Sequence, residues 1–93
     1  MTIETVSRSI VHFIGHVQGV GFRYQTFQTA KEYEVSGFVQ NLPDGRVLME
    51  AEGDAEEVDQ FVAAVSDRMF GYVRKLDRFD HKGPRKHQGF MIR

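Results

Sequence analysis

Gly15-His16-Val17-Gln18-Gly19-Val20-Gly21-Phe22-Arg23 leaves one regular segment and runs straight into another. Before it, Ile10–Ile14 is a short apolar run bounded by Gly15, the pattern of a buried strand. After it, the chain from Phe22 to Glu34 contains no Gly or Pro, and Phe27, Ala30 and Tyr33 recur at helical spacing. Strand, glycine-rich turn and helix therefore form the opening unit of the fold.

The rest of the chain alternates in the same way. Gly37–Asn41 reads as a second strand, Leu42-Pro43-Asp44-Gly45 as a turn, and Arg46–Glu52 as a third strand with Val47, Met49 and Ala51 on one face. The two strands make a hairpin. A second helix follows, with Asp54 as its cap, Glu57 completing a capping box, and Val58, Phe61, Val62, Val65 and Met69 on one buried stripe. Gly71 is expected to end it. Val73–Phe79 reads as a charged strand, Asp80–Gln88 as a loop because it holds Gly83-Pro84, and Gly89–Ile92 as a last short strand. The order β-α-β-β-α-β predicts a two-layer α+β sandwich. Two helices cover one face of an antiparallel sheet, with room for a short fifth strand. That architecture serves enzymes and binding modules alike.

With 93 residues, the chain is expected to be one domain, 1–93, with residues 1–8 as a loosely ordered N-terminus. The absence of cysteine excludes a disulfide framework and thiolate metal sites. No apolar run reaches the ~18 residues that span a bilayer, and Met1–Ser9 does not resemble a secretory signal, so a cytoplasmic protein is expected. The net charge of −1 covers an acidic stretch from Asp44 to Asp67 and a basic last quarter. Such asymmetry can mark a nucleic-acid face, but near neutrality a solvated surface of mixed sign is the expected reading.

The glycine-rich stretch carries the chemistry. Glycines at a strand-to-helix turn let successive N–H groups point inward as an anion nest, and the helix N-terminus adds partial positive charge. Arg23 in the first turn can close on two phosphate oxygens with its planar fork. A dinucleotide fingerprint is excluded by Tyr24 where its third glycine belongs, and a nucleotide P-loop by the lack of Lys-Ser or Lys-Thr. Residue chemistry alone leaves two readings open: a phosphate cradle, or a tight structural turn with an exposed arginine. Asn41 is similarly open, as a site residue or as an ordinary turn-initiating asparagine.

A wider pattern separates them. Gly15, Val17-Gln18-Gly19-Val20 and Phe22-Arg23, followed by Gly37-Phe38-Val39-Gln40-Asn41 and then Gly45, Val47 and Gly53, resemble the two motifs of the acylphosphatase family. The likeness is close from Val11 to Gly53 and looser beyond. It implies a ferredoxin-like sandwich and hydrolysis of acyl phosphates, which are carboxyl–phosphate mixed anhydrides, to carboxylate and inorganic phosphate without metal or other cofactor. The family's catalytic arginine falls on Arg23 and its catalytic asparagine on Asn41. Its phosphate-binding backbone falls on His16, Val17, Gln18, Gly19 and Val20. The expected partners are a small acyl phosphate and, as product or inhibitor, inorganic phosphate or a similar anion. No nucleic acid or membrane partner and no oligomer beyond the monomer is expected.

The remaining candidates have plainer readings. The His16 side chain is expected to face solvent while its backbone N–H matters. His12, His81 and His87 lack metal-ligand spacing. Gln18 is expected to brace the loop, and Phe38 to lie in the core. An RNA-binding module on the same sandwich would need aromatics and basic residues together on exposed strands, and only Arg74-Lys75-Leu76 approaches that. The acylphosphatase-like domain of hydrogenase-maturation carbamoyltransferases is a second alternative, less expected for a chain without their zinc-binding cysteines.

Overall fold

The computed structural model describes residues 4–93 and follows the predicted order, the short fifth strand included. The elements are β1 (Thr5–Gly15), α1 (Phe22–Ala30), β2 (Val35–Asn41), β3 (Val47–Gly53), α2 (Ala55–Arg68), β4 (Val73–Pro84) and β5 (Phe90–Ile92). The sheet order is β4-β1-β3-β2-β5. The first four strands are antiparallel, but β5 runs parallel to β2, pairing Gly37, Phe38 and Val39 with Phe90, Met91 and Ile92. The sheet is therefore mixed rather than wholly antiparallel.

Alternation along the strands separates its two faces. Val11 and Phe13 of β1, Val39 of β2, and Val47, Met49 and Ala51 of β3 are fully buried under the helices. From α2, Val58, Phe61, Val62 and Val65 meet them, the stripe expected from the sequence. Tilted and edge-on aromatic contacts, Phe13 with Phe22 at 4.9 Å and Phe61 with Phe90 at 5.4 Å, tie both helices and β5 to this core. No helix of the described residues is long and apolar enough to cross a membrane.

Several local expectations are corrected. Helix α1 ends at Ala30 and buries Phe22, Thr26, Thr29 and Ala30; of the three residues at helical spacing, Ala30 is buried, Tyr33 packs on Phe61 from beyond the helix end with ring centroids 6.1 Å apart, and Phe27 is half-buried. The helix's buried hydroxyls remain satisfied, because Thr26 donates to the Phe22 carbonyl at 2.9 Å and Thr29 to that of Gln25 at 2.7 Å. The capping box at Asp54 does not form: Asp54 makes no side-chain cap, and Glu57 accepts the Glu34 N–H at 2.8 Å instead. Helix α2 stops before Gly71, at Met69, whose carbonyl takes the N–H groups of Tyr72 and Val73.

The largest difference is β4. The segment from Asp80 onward was expected to be a loop, but the strand continues to Pro84 because β1 extends to meet it, with Thr5 opposite Pro84 and Val6 opposite Gly83. Proline is tolerated there because it closes an edge strand, where no ladder N–H is lost. Thr5–Arg8 are likewise in paired strand rather than loosely ordered, and residues 1–3 lie outside the described residues.

The long strands bring a polar cluster under cover on the face away from the helices. Glu52 and Arg8 are 0% and 2% exposed. Glu52 accepts Arg8 Nε at 3.0 Å and Nη2 at 2.6 Å, and also the backbone N–H groups of Lys86 and His87 at 2.9 and 2.8 Å. Arg8 further donates to the Pro84 carbonyl at 2.6 Å. The segment after β4 is thereby held against the sheet. There it covers Phe38, with the His87 ring edge-on at 5.7 Å, so Phe38 is buried by a loop and not by the helical core.

Candidate functional site

Strand β1 delivers the glycine-rich loop to one end of the sheet, and the β2–β3 hairpin arrives at the same end. Asn41 is the last residue of β2, opposite Val47. The turn beyond it is closed by Leu42 N–H to the Arg46 carbonyl at 2.9 Å and Gly45 N–H to that of Leu42 at 3.1 Å. Gln18 links the two segments: its amide Nε2 donates to the carbonyls of Leu42, at 2.7 Å, and Arg46, at 3.0 Å. The bracing expected of Gln18 is thus observed, and it ties the loop to the strand end that carries Asn41.

Two left-handed residues shape the loop. Gly19 and Gly21 have φ of 79° and 78°, a conformation that costs an L side chain roughly 1–2 kcal/mol. Gly21 is also the N-cap of α1 and offers no side chain to its amides. The first helical bond is Gln25 N–H to the Gly21 carbonyl at 3.0 Å. Among the described residues, no acceptor takes the backbone N–H of Val17, Gln18, Gly19, Val20 or Phe22. His16 differs. Its N–H is already given to the Tyr72 carbonyl at 2.9 Å, so it anchors the loop to the start of β4 rather than adding a free donor. Its side chain is exposed, as expected.

These parts line an open cleft of about 230 Å³, to which Val17, Gly19, Gly21, Phe22, Arg23 and Asn41 all contribute. Arg23 is half-buried and forms no ion pair among the described residues; it donates one hydrogen bond, Nη1 to the Arg93 carbonyl at 2.9 Å. That contact comes from the far end of the chain. Arg93 is fixed there by its own N–H to the Val39 carbonyl at 2.9 Å and by its guanidinium over the Phe38 ring at 3.9 Å. The structure therefore brings Arg23, Asn41, Val17 and Gly19 to one cleft, whereas His16, Gln18 and Val20 do not line it and Gln18 acts by tying the loop to the hairpin. It also places Tyr24 and Ile92 on the cleft wall, which periodicity did not single out.

Other charged groups are engaged elsewhere. Arg68 pairs with Glu32 at 2.6 Å, Arg85 with Glu4 at 3.0 Å, and Arg78 with both Asp59 and Asp80. Much of the basic last quarter is thus matched by acids from other elements. No group of three potential metal ligands is found among the described residues.

Known proteins resemble this chain along most of its length. The acylphosphatase family model matches residues 10–92. An acylphosphatase of Archaeoglobus fulgidus is 49% identical over 55 residues, a stretch covering 59% of this chain and 62% of that protein. The match therefore spans just under two thirds of that relative. One from Lactiplantibacillus plantarum is 41% identical over 80 residues, covering 84% of this chain and 88% of that protein. The crystal structure of an acylphosphatase from Bacillus subtilis superposes with a TM-score of 0.80 at 36% identity, covering 96% of this chain and 98% of that one.

Proposed function

The chain belongs to the acylphosphatase family, and on that premise we propose that its cleft hydrolyses acyl phosphates, with Arg23 holding the phosphate and Asn41 placing the attacking water. The observation that carries this reading is the meeting of Arg23, Asn41 and a loop of unpartnered backbone N–H groups at one cleft. A guanidinium fork with one hydrogen bond and no ion pair among the described residues, beside amides with no acceptor there, suits a dianion better than any neutral ligand.

The chemistry asks little more of the protein. Water oxygen attacks phosphorus, the bond from phosphorus to the acyl oxygen breaks, and the carboxylate leaves as a weak base without needing a proton. Phosphoryl transfer depends mainly on positioning and charge stabilisation. Arg23 and the amides of Val17, Gln18, Gly19 and Val20 take up charge on the equatorial oxygens. His16 supports that loop through its bond to Tyr72. The Asn41 amide can orient water but not deprotonate it, so the water's proton passes to a phosphate oxygen. The donors are cationic and N–H groups that bind phosphate charge directly, and the step calls for no metal. We read the protein as cytoplasmic, and as a single domain acting as a monomer, since one chain supplies every group named.

Phosphate release from benzoyl phosphate, with and without chelator, tests the reading in the wild type, Arg23→Ala and Asn41→Ala. Turnover that survives chelation and is lost in both folded variants is expected. A folded wild type without turnover would overturn it, as would a variant pair that retains the rate.

A further inference from the structure

We propose that Tyr24 and Ile92 form an acyl-binding wall that selects aromatic and apolar acyl groups; this rests on the phosphate reading above and extends it to the substrate's other end. With phosphate fixed on Arg23 and the loop amides, the acyl carbon has to leave the cradle through the rest of the cleft. That remainder is walled by Tyr24 from α1 and Ile92 from β5.

Neither side chain is taken up by the core. Tyr24 is 57% and Ile92 43% exposed, whereas Phe22, two residues before Tyr24, is 2% exposed. Phe90, two residues before Ile92, points inward against Phe61. The Tyr24 hydroxyl makes no hydrogen bond among the described residues, so nothing holds the ring for another purpose. Ile92 pairs with Val39, two residues before Asn41, which puts it beside the strand end that carries the water-positioning amide.

The charge pattern points the same way. Among the described residues, Arg23 is the one charged side chain lining the cleft, and it is committed to phosphate. A carboxylate or ammonium on the acyl chain finds no counter-charge there and loses hydration. A benzoyl ring instead gains burial against the tyrosine face and the isoleucine methyls.

The experiment compares kcat/KM for benzoyl phosphate and acetyl phosphate in the wild type, Tyr24→Ala, Tyr24→Phe and Ile92→Ser, together with inhibition by inorganic phosphate. Tyr24→Ala is expected to lower the benzoyl-over-acetyl ratio by about five- to tenfold, chiefly through KM, from the lost ring contact. Tyr24→Phe should retain the ratio, Ile92→Ser should lower it by about threefold, and the inhibition constant for phosphate should shift by less than about twofold because phosphate alone reaches only the cradle. A ratio in Tyr24→Ala within about twofold of the wild type would overturn the wall. If the wild type turns over neither substrate, the hydrolase reading fails separately. The wall is then decided by calorimetric titration with benzoylphosphonate and acetylphosphonate: a benzoyl preference that Tyr24→Ala abolishes supports it, and no preference in the wild type overturns it.

Discussion

Two polar clusters lie at opposite ends of β1, one around Arg8 and Glu52 and the other around Arg23 and Asn41. Arg8 and Gly15 are seven positions apart, about 23 Å along an extended strand. At the first end, a buried carboxylate accepts from a guanidinium and two backbone amides. At the second, among the described residues, a half-buried guanidinium has one partner and a row of amides has none. In the first cluster the carboxylate and the guanidinium are both engaged, Arg8 Nη1 also reaching His81 Nε2 at 3.1 Å, and they fix the segment after β4 on the sheet; His81 Nδ1 is the buried atom there with no partner among the described residues. The second has donors in excess, which suits an anion that comes and goes. Saturation distinguishes a structural ion pair from a binding site more sharply than residue type does, since both clusters are built around an arginine.

That contrast can be broken by exchanging the effects. Arg23→Ala should lower kcat/KM by about a thousandfold, the upper range for removal of one preorganised charge-stabilising donor. Its melting temperature should stay close to the wild type. Parallel loss of fold and activity would make Arg23 structural and erase the distinction. Glu52→Ala should do the reverse, costing about 3–5 kcal/mol of unfolding free energy because Arg8 is left buried without its counter-charge. Urea titration measures it, and the protein that remains folded should keep its turnover of benzoyl phosphate. Replacing both partners, Arg8→Met with Glu52→Leu, should recover much of the loss.

Acid sharpens the same contrast. Burial alone raises the Glu52 pKa, but the His87 N–H, the Arg8 guanidinium and the Lys86 N–H outweigh it and hold the carboxyl below its ordinary value. A depressed folded-state pKa gives stability that is present above the unfolded value of about 4.3 and lost as pH falls through the folded value. The urea midpoint of the wild type should therefore fall below about pH 4, and Glu52→Gln should flatten that dependence; equal slopes would remove Glu52 from the acid response. The smallest effect is expected at Gln18. Gln18→Ala leaves the Leu42 and Arg46 carbonyls without its amide, costing about 1–2 kcal/mol. It should also slow turnover by loosening the turn beside Asn41; stability loss without slower turnover would separate the brace from the site.

The strand–glycine turn–helix unit, the hairpin after Asn41 and the α2 stripe were legible in the sequence because each rests on local periodicity or turn chemistry. So was the resemblance that set Arg23 and Asn41 apart from an exposed arginine and an ordinary turn asparagine. The continuation of β4 through Gly83-Pro84 was not legible. Local turn residues argue for a loop there, and only the pairing of Thr5–Arg8 opposite them makes a strand the better state. The failed capping box has a similar cause: Glu57 is taken by the backbone of Glu34, a residue far away in the chain.

The sequence by itself determined the order of elements and the residue types that a phosphate cradle needs, because both follow from neighbours within a few positions. Tertiary structure alone decided which of those groups remain free. It tied the His16 amide to Tyr72, held the loop to the hairpin through Gln18, and set β5 parallel to β2, so that Ile92 and Arg93 reach the site from the far end of the chain. Hydrogen-bond satisfaction is a property of the assembled fold: each donor's partner is chosen by long-range packing, which no local pattern encodes.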